Sequence, residues 1–244
     1  MNNIEIIDGK KKTSIQAASC YDELTFEQLK EVFYNMPLLN MGVFPETLML
    51  SLLGNYKELL DEISPIQRYA IQETFDFLNQ EPKFTKLLCN QLVINQKVYH
   101  GYKANFFNTT WEEFMYADQA FMKGNYAQAA AVLYRQEIDH YTGETDQRMP
   151  FSVYSLPTRT LEFQKLDAVT LGCVAMNYAG LRQTYIVEKY PSIFTTSEKE
   201  EKDNKFSWLS VHRNILGEQF FEEDKILKTN LHTVLSRIAK LLKK

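Results

Sequence analysis

Glu137 and His140 stand three residues apart, the spacing that sets a carboxylate and an imidazole on one face of a helix. Di-metal sites in helical bundles use two such pairs together with two further glutamates. This chain holds no second Glu-x-x-His, and His100, His140, His212 and His232 are scattered without metal-ligand spacing. With Asp139, the pair forms the one cluster that an enzyme could use for proton transfer. Phosphate-cradling glycine loops, a G-x-S-x-G elbow and an H-E-x-x-H pair are all missing from the sequence. Cys173 falls on the apolar stripe of a long helical pattern, where a thiol serves as a small core residue. The other carboxylates are spread along helix surfaces, so no acid and base pair off. The expectation is a protein without catalytic residues, cofactor or metal. An enzyme with a site near Glu137 and His140 is the lesser alternative.

Binding chemistry is better represented. Residues 141–158 contain two prolines, one glycine and many polar groups, which reads as a long connection. Connections of that length commonly carry function. This one holds Tyr141, Arg148, Met149, Phe151 and Tyr154. Tyrosine and arginine are frequent anchors of protein interfaces, and methionine adapts to irregular surfaces. These five are the candidate protein-binding residues.

Composition narrows the classes further. With 45% hydrophobic and 24% charged residues in 244 positions, the chain can bury a real core. Only 9 Gly and 7 Pro argue for helices over a loop-rich sandwich, while 16 Phe and 14 Tyr suggest broad packing or subunit contacts. The net charge of −4 is unfavourable for nucleic acid, which is not an expected partner. Neither a signal peptide nor the run of roughly 20 apolar residues that a membrane span needs is visible, so no membrane role is expected. Three cysteines, far apart, are expected as thiols in a cytoplasm.

The elements that would position these groups are mostly helical. Residues 3–16, with an Asp8-Gly9 turn, read as a β-hairpin, and 92–103 as a weaker one around Asn95-Gln96-Lys97. The two hairpins are expected to pair with each other, because an isolated hairpin is marginal. Thr25 with Gln28 predicts a capping box and a helix that stops before Pro37. Pro45 opens a helix through Leu60, and Ser64-Pro65 one through Leu78. Thr109 with Glu112 predicts a second capping box, with a helix to about Lys123 and another from Tyr126 to about Gln136. Leu166, Val169, Cys173, Met176 and Gly180 mark one long helix, whose Gly172 and Gly180 would admit a close neighbour. Residues 195–205 read as a charged surface loop, and Ile226 through Leu241 as a final amphipathic rod. The fold class is therefore mainly α, a multi-helix bundle with a minor β-hairpin element. Its division is read as 1–104, hairpin plus helices, and 105–244, helical, with one continuous domain the alternative.

One clause occurs twice. Ser19-Cys20-Tyr21-Asp22-Glu23-Leu24 and Thr109-Thr110-Trp111-Glu112-Glu113-Phe114 share the order hydroxyl, any, aromatic, acid, Glu, apolar. Residues 21–29 (YDELTFEQL) and 109–118 (TTWEEFMYAD) resemble the W-D-E-L-T-x-x-Q opening of small helical tail-assembly proteins of bacteriophages and prophages. That opening is followed in the family by an alanine-rich helix and a Leu-Tyr-Arg-like triplet, here Leu133-Tyr134-Arg135. Tyr190-Pro191-Ser192-Ile193-Phe194, Phe206-Ser207-Trp208 and the final helix continue the order over residues 105–244. The first hundred residues depart from the family pattern. The resemblance implies a non-enzymatic protein of phage tail or virion assembly. Its partners would be the tape-measure protein, other tail subunits or further copies of itself. It would act in the cytoplasm of a bacterial host or within the virion, without a cofactor. A bacterial helical adaptor that binds a protein or peptide is the alternative.

Overall fold

The computed structural model describes residues 1–8, 11–54, 56, 61–143, 146–194, 208–216 and 222–242. The chain is mainly α with two small antiparallel hairpins, as expected. It divides into two compact units, Met1–Phe84 and Thr85–Lys244. Residues 85–104 fall with the second unit, where the segment leading into the second hairpin is tied to helices downstream. The Asn177 side chain donates to the Lys86 carbonyl (3.0 Å) and accepts from the Leu88 amide (2.9 Å), and Tyr134 Oη donates to the Cys89 carbonyl (2.8 Å).

In the N-terminal unit, β1 (Asn2–Asp8) pairs with β2 (Lys11–Ala17) in the register Ile4↔Ile15 and Ile6↔Thr13. Alternation buries Ile4, Ile6, Ile15 and Ala17 on one face. Gly9 of the expected turn lies outside the described residues. The first copy of the repeated clause makes only a 3₁₀ turn, Tyr21–Glu23, in which Glu23 accepts from the Ser19 amide and hydroxyl. Helix α1 (Phe26–Asn40) starts behind the Thr25–Gln28 capping box. It runs through Pro37 rather than stopping before it. The stop is the Schellman closure one turn later, where Gly42 at φ +74° lets Val43 N bond Leu38 O and Gly42 N bond Leu39 O. Helix α2 (Glu46–Leu53) ends at left-handed Gly54, short of Leu60. Helix α3 (Pro65–Glu73) has the Ser64–Gln67 capping box and gives way to a 3₁₀ turn, Asp76–Asn79, before Leu78.

The C-terminal unit opens with β3 (Gln91–Ile94) and β4 (Lys97–His100), a sheet separate from the first hairpin. Asn95 (φ +50°) and Gln96 (φ +66°) both adopt left-handed geometry, so the turn forms where it was expected and without a glycine. Helices α4 (Trp111–Met122) and α5 (Tyr126–Leu133) form a hairpin around Gly124 at φ +71°, with Asn125 as the next N-cap. The cap of α4 is Thr110, not Thr109. Thr109 O accepts from Leu231 N and Trp111 N donates to Thr229 O, which keeps the chain extended through Thr110. The expected capping box therefore does not close, and the Glu113 side chain is turned inward.

Helix α6 (Leu156–Phe163) begins inside the last residues of what reads as loop, and α7 (Ala168–Arg182) begins only after Leu166. Asp167 caps α7 through the Thr170 amide. Cys173, Gly172 and Gly180 are all buried, and none of the three cysteines forms a disulfide. A π-turn, Gln183–Val187, leads to α8 (Pro191–Phe194). After residues 195–207, which lie outside the described residues and include the expected charged loop, come α9 (Trp208–Leu216), α10 (Glu223–Leu227) and α11 (Leu231–Leu241). The final rod is thus broken at Thr229-Asn230, where the bridge to Thr110 forms. The core stacks Trp111, Phe114 and Trp208, with ring centroids 5.2–6.1 Å apart. Buried Asp118 accepts from Tyr178 Oη (2.9 Å), the Arg182 guanidinium and Trp208 Nε1 (2.6 Å). None of the described helices is long and apolar enough to cross a membrane.

Candidate protein-binding loop

The loop is organised from the end of α5. The last four carbonyls of a helix have no partner within it. Here Ala130 O accepts from the Tyr134 amide, and the next three each accept from an arginine. Arg159 Nε donates to Ala131 O, Arg135 Nη1 to Val132 O (2.8 Å) and Arg148 Nη1 to Leu133 O (2.7 Å). Cations at this end also oppose the negative pole of the helix dipole.

Two carboxylates balance the group. Glu113, 3% exposed, accepts from Arg135 Nη2 (2.9 Å) through Oε1 and from Arg148 Nη2 (3.3 Å) through Oε2. Asp146 takes both Arg148 Nε (3.0 Å) and Nη2 (2.7 Å), the forked geometry that suits a guanidinium. Burial pulls the Asp146 carboxyl up, but the hydrogen bonds and charge of Arg148 outweigh it and leave the group below its ordinary value. Burial, and then the charge of Arg135, lower the Arg159 guanidinium to about 10.

The network fixes the loop's backbone as well. Arg135 Nε donates to Met149 O (2.6 Å) and Arg148 Nη2 to Asn108 O (2.6 Å). Ile138 N bonds Gln147 O and Met149 N bonds Gln136 O, both 2.8 Å, so residues 136–138 run antiparallel to 147–149. Helix α5 therefore ends at Leu133, not Gln136, because the chain turns extended to make these bonds. Glu137 sits in that ladder, opposite Arg148, while His140 occupies a turn at φ +60°. They do not share a helix face. Glu137 instead lies 3.9 Å from His100 Nε2, and no cluster of three metal-ligating side chains occurs among the described residues.

The five candidate residues are placed differently. Tyr154 is 97% exposed and Met149 49%, while Phe151 is half-buried. Phe151 packs on Tyr116 (centroids 5.6 Å) and beneath the Arg159 guanidinium (5.9 Å). Tyr141 stands in the wall of a cleft of about 700 Å³ with Lys103, Asn105, Asp146 and Tyr185. Arg148, at 2% exposed, is withdrawn as a surface anchor, because all its donors are turned into the protein. Its part is to hold the loop. Glu113, from the repeated clause, and Arg135, from the Leu-Tyr-Arg triplet, join Arg148 in this network as buried architecture, a role that their sequence patterns did not indicate.

A second cleft, of about 420 Å³, adjoins the loop through Tyr116 and is lined by Glu112, Met115, Trp208, His212, Glu223 and Leu227 among others. Burial first, then Glu113, raise the Glu112 carboxyl. No family model, curated protein or solved structure matches this chain.

Proposed function

We propose that the protein is a non-enzymatic component of phage tail or virion assembly that binds other structural subunits through the surface of Met149, Phe151 and Tyr154. The observation that carries this reading is an exposed aromatic segment on a base pinned by three arginines, two of them buried. A pre-ordered loop loses little further entropy when a partner docks, so more of the contact energy remains as affinity. An aromatic at 97% exposure contributes nothing to the fold through burial, whereas such side chains are common interface anchors. The likeness of residues 105–244 to tail-assembly proteins supplies the partner class: tape-measure protein, tail subunits or another copy of this chain.

A photo-crosslinking residue at position 154, used while particles are being produced, tests the reading. The expected adduct is a tape-measure or tail protein, lost when Met149 and Phe151 are both changed to serine. An adduct with a host bacterial protein favours the adaptor alternative, and no adduct removes this surface. Tyr154→Ala should abolish capture of the adduct partner with the melting temperature unchanged.

A further inference from the structure

The cleft beside the loop contains a histidine whose accepting ring nitrogen is set by a tryptophan. Trp111 Nε1 lies 3.2 Å from His212 Nδ1, and an indole nitrogen can only donate. Nδ1 is therefore the acceptor, and the proton of the neutral ring is on Nε2. That N–H is buried and has no hydrogen-bond partner, with the nearest carboxylate oxygen, Oε1 of Glu223, 3.5 Å away. His212 itself is 1% exposed and forms part of the cleft wall. A buried donor left without a partner is unfavourable, so an acceptor arriving in the cleft is favoured.

The surrounding charge is mainly acidic. Glu112 and Glu223 stand in the wall, and Glu113 and Asp224 add to the negative field at Glu112, partly offset by Lys228. Lys123, the one lysine or arginine among the described residues of the wall, is on the exposed rim. Met115 and Leu227 give the cleft apolar sides between these carboxylates. A metal ion is a poor match. Coordination through Nε2 would move the ring proton to Nδ1, against the Trp111 N–H, and the described residues hold no group of three metal-ligating side chains.

We propose that this cleft receives a lysine or arginine side chain of the partner protein, its cationic head between Glu112 and Glu223 and its backbone carbonyl on His212 Nε2. The apolar walls suit the aliphatic stem. The proposal rests on the protein-binding reading above and extends the docking surface from Phe151 across Tyr116 into the cleft.

The test is a titration of the full chain, read from the two tryptophan indole N–H resonances. The probes are Nα-acetyl-arginine N-methylamide and its citrulline counterpart, which has nearly the same shape without the charge. The arginine probe should give a saturable shift and bind about tenfold more tightly than citrulline, the effect of one charge-assisted contact. Glu112→Gln and Glu223→Gln should each bring arginine toward the citrulline affinity while leaving citrulline unchanged, which also reports that the cleft is intact. Equal affinity for the two probes, insensitivity to both variants, or no saturable shift overturns the proposal. The crosslink at position 154 separates the two readings. An adduct that forms as before in a chain whose cleft ignores the arginine probe removes the cleft and leaves the loop.

Discussion

Arg148→Met tests whether the loop is held from within. The substitution keeps most of the aliphatic volume and removes every donor of the guanidinium. Leu133 O and Asn108 O then lose their partners, at about 1–3 kcal/mol for each buried group left unmade. Glu113 keeps Arg135 at 2.9 Å, so its loss is partial. The Asp146 side chain is 25% exposed and can recover water, which limits its share too. The sum is about 3–5 kcal/mol, the range found when one partner is taken from a buried ion pair. Trp111 and Trp208 are the chain's two tryptophans and both belong to the C-terminal unit, so their fluorescence in a urea titration reports that unit. The midpoint should fall with little change in slope. A loss below about 1 kcal/mol would refute the reasoning, since surface substitutions fall within about half that.

Thr110→Ala should cost about 1 kcal/mol as the loss of an N-cap, whereas Thr109→Val, which removes a buried hydroxyl without a partner, should leave stability equal or higher in the same titration. Trp111→Ala should cost about 3–5 kcal/mol, because the ring is fully buried against Phe114 and Trp208. The contribution of Asp146 has a defined acid limit. Its folded value lies below the unfolded one, so its stabilisation is complete above the ordinary carboxylate range and disappears as pH falls through the folded value. The stability gap between wild type and Asp146→Asn should therefore stay constant from neutral pH to about 5 and close on further acidification; a gap that widens in acid would contradict the assignment.

The parts of the fold written in local chemistry could be read directly. Thr25 with Gln28, Ser64 with Pro65, and Gly124 with Asn125 each act within a few residues, and each does in the structure what its type dictates. Pro37 misled because its cost, about 3 kcal/mol inside a helix, is a local one, and the Gly42 closure and the burial of Leu39 hold one more turn against it. Thr109 and Thr110 could not be told apart by spacing, since the choice is made by a bridge to residues 229–231. Arg148 failed as a surface residue for the same kind of reason. Its partners Asn108, Glu113 and Leu133 are distant in sequence, and no periodicity announces a buried guanidinium. His212 was visible only as an isolated histidine. Its meaning comes from Trp111, on another helix.

The arginine closure of α5 also bears on the order in which the protein can be finished during synthesis. Helix α5 leaves the ribosome ahead of Arg148 and Arg159, so the two carbonyls that they cap, Leu133 O and Ala131 O, emerge with only water to bond. The α4–α5 pair has the outline of a self-contained helical hairpin, yet its exit is sealed by residues translated later. Glu113, already made, waits with a buried-to-be carboxylate for arginines on both sides of a turn not yet formed. The segment from α4 to α6 is therefore completed late, and a nascent chain cut short before Arg148 would hold α5 with both Ala131 O and Leu133 O open.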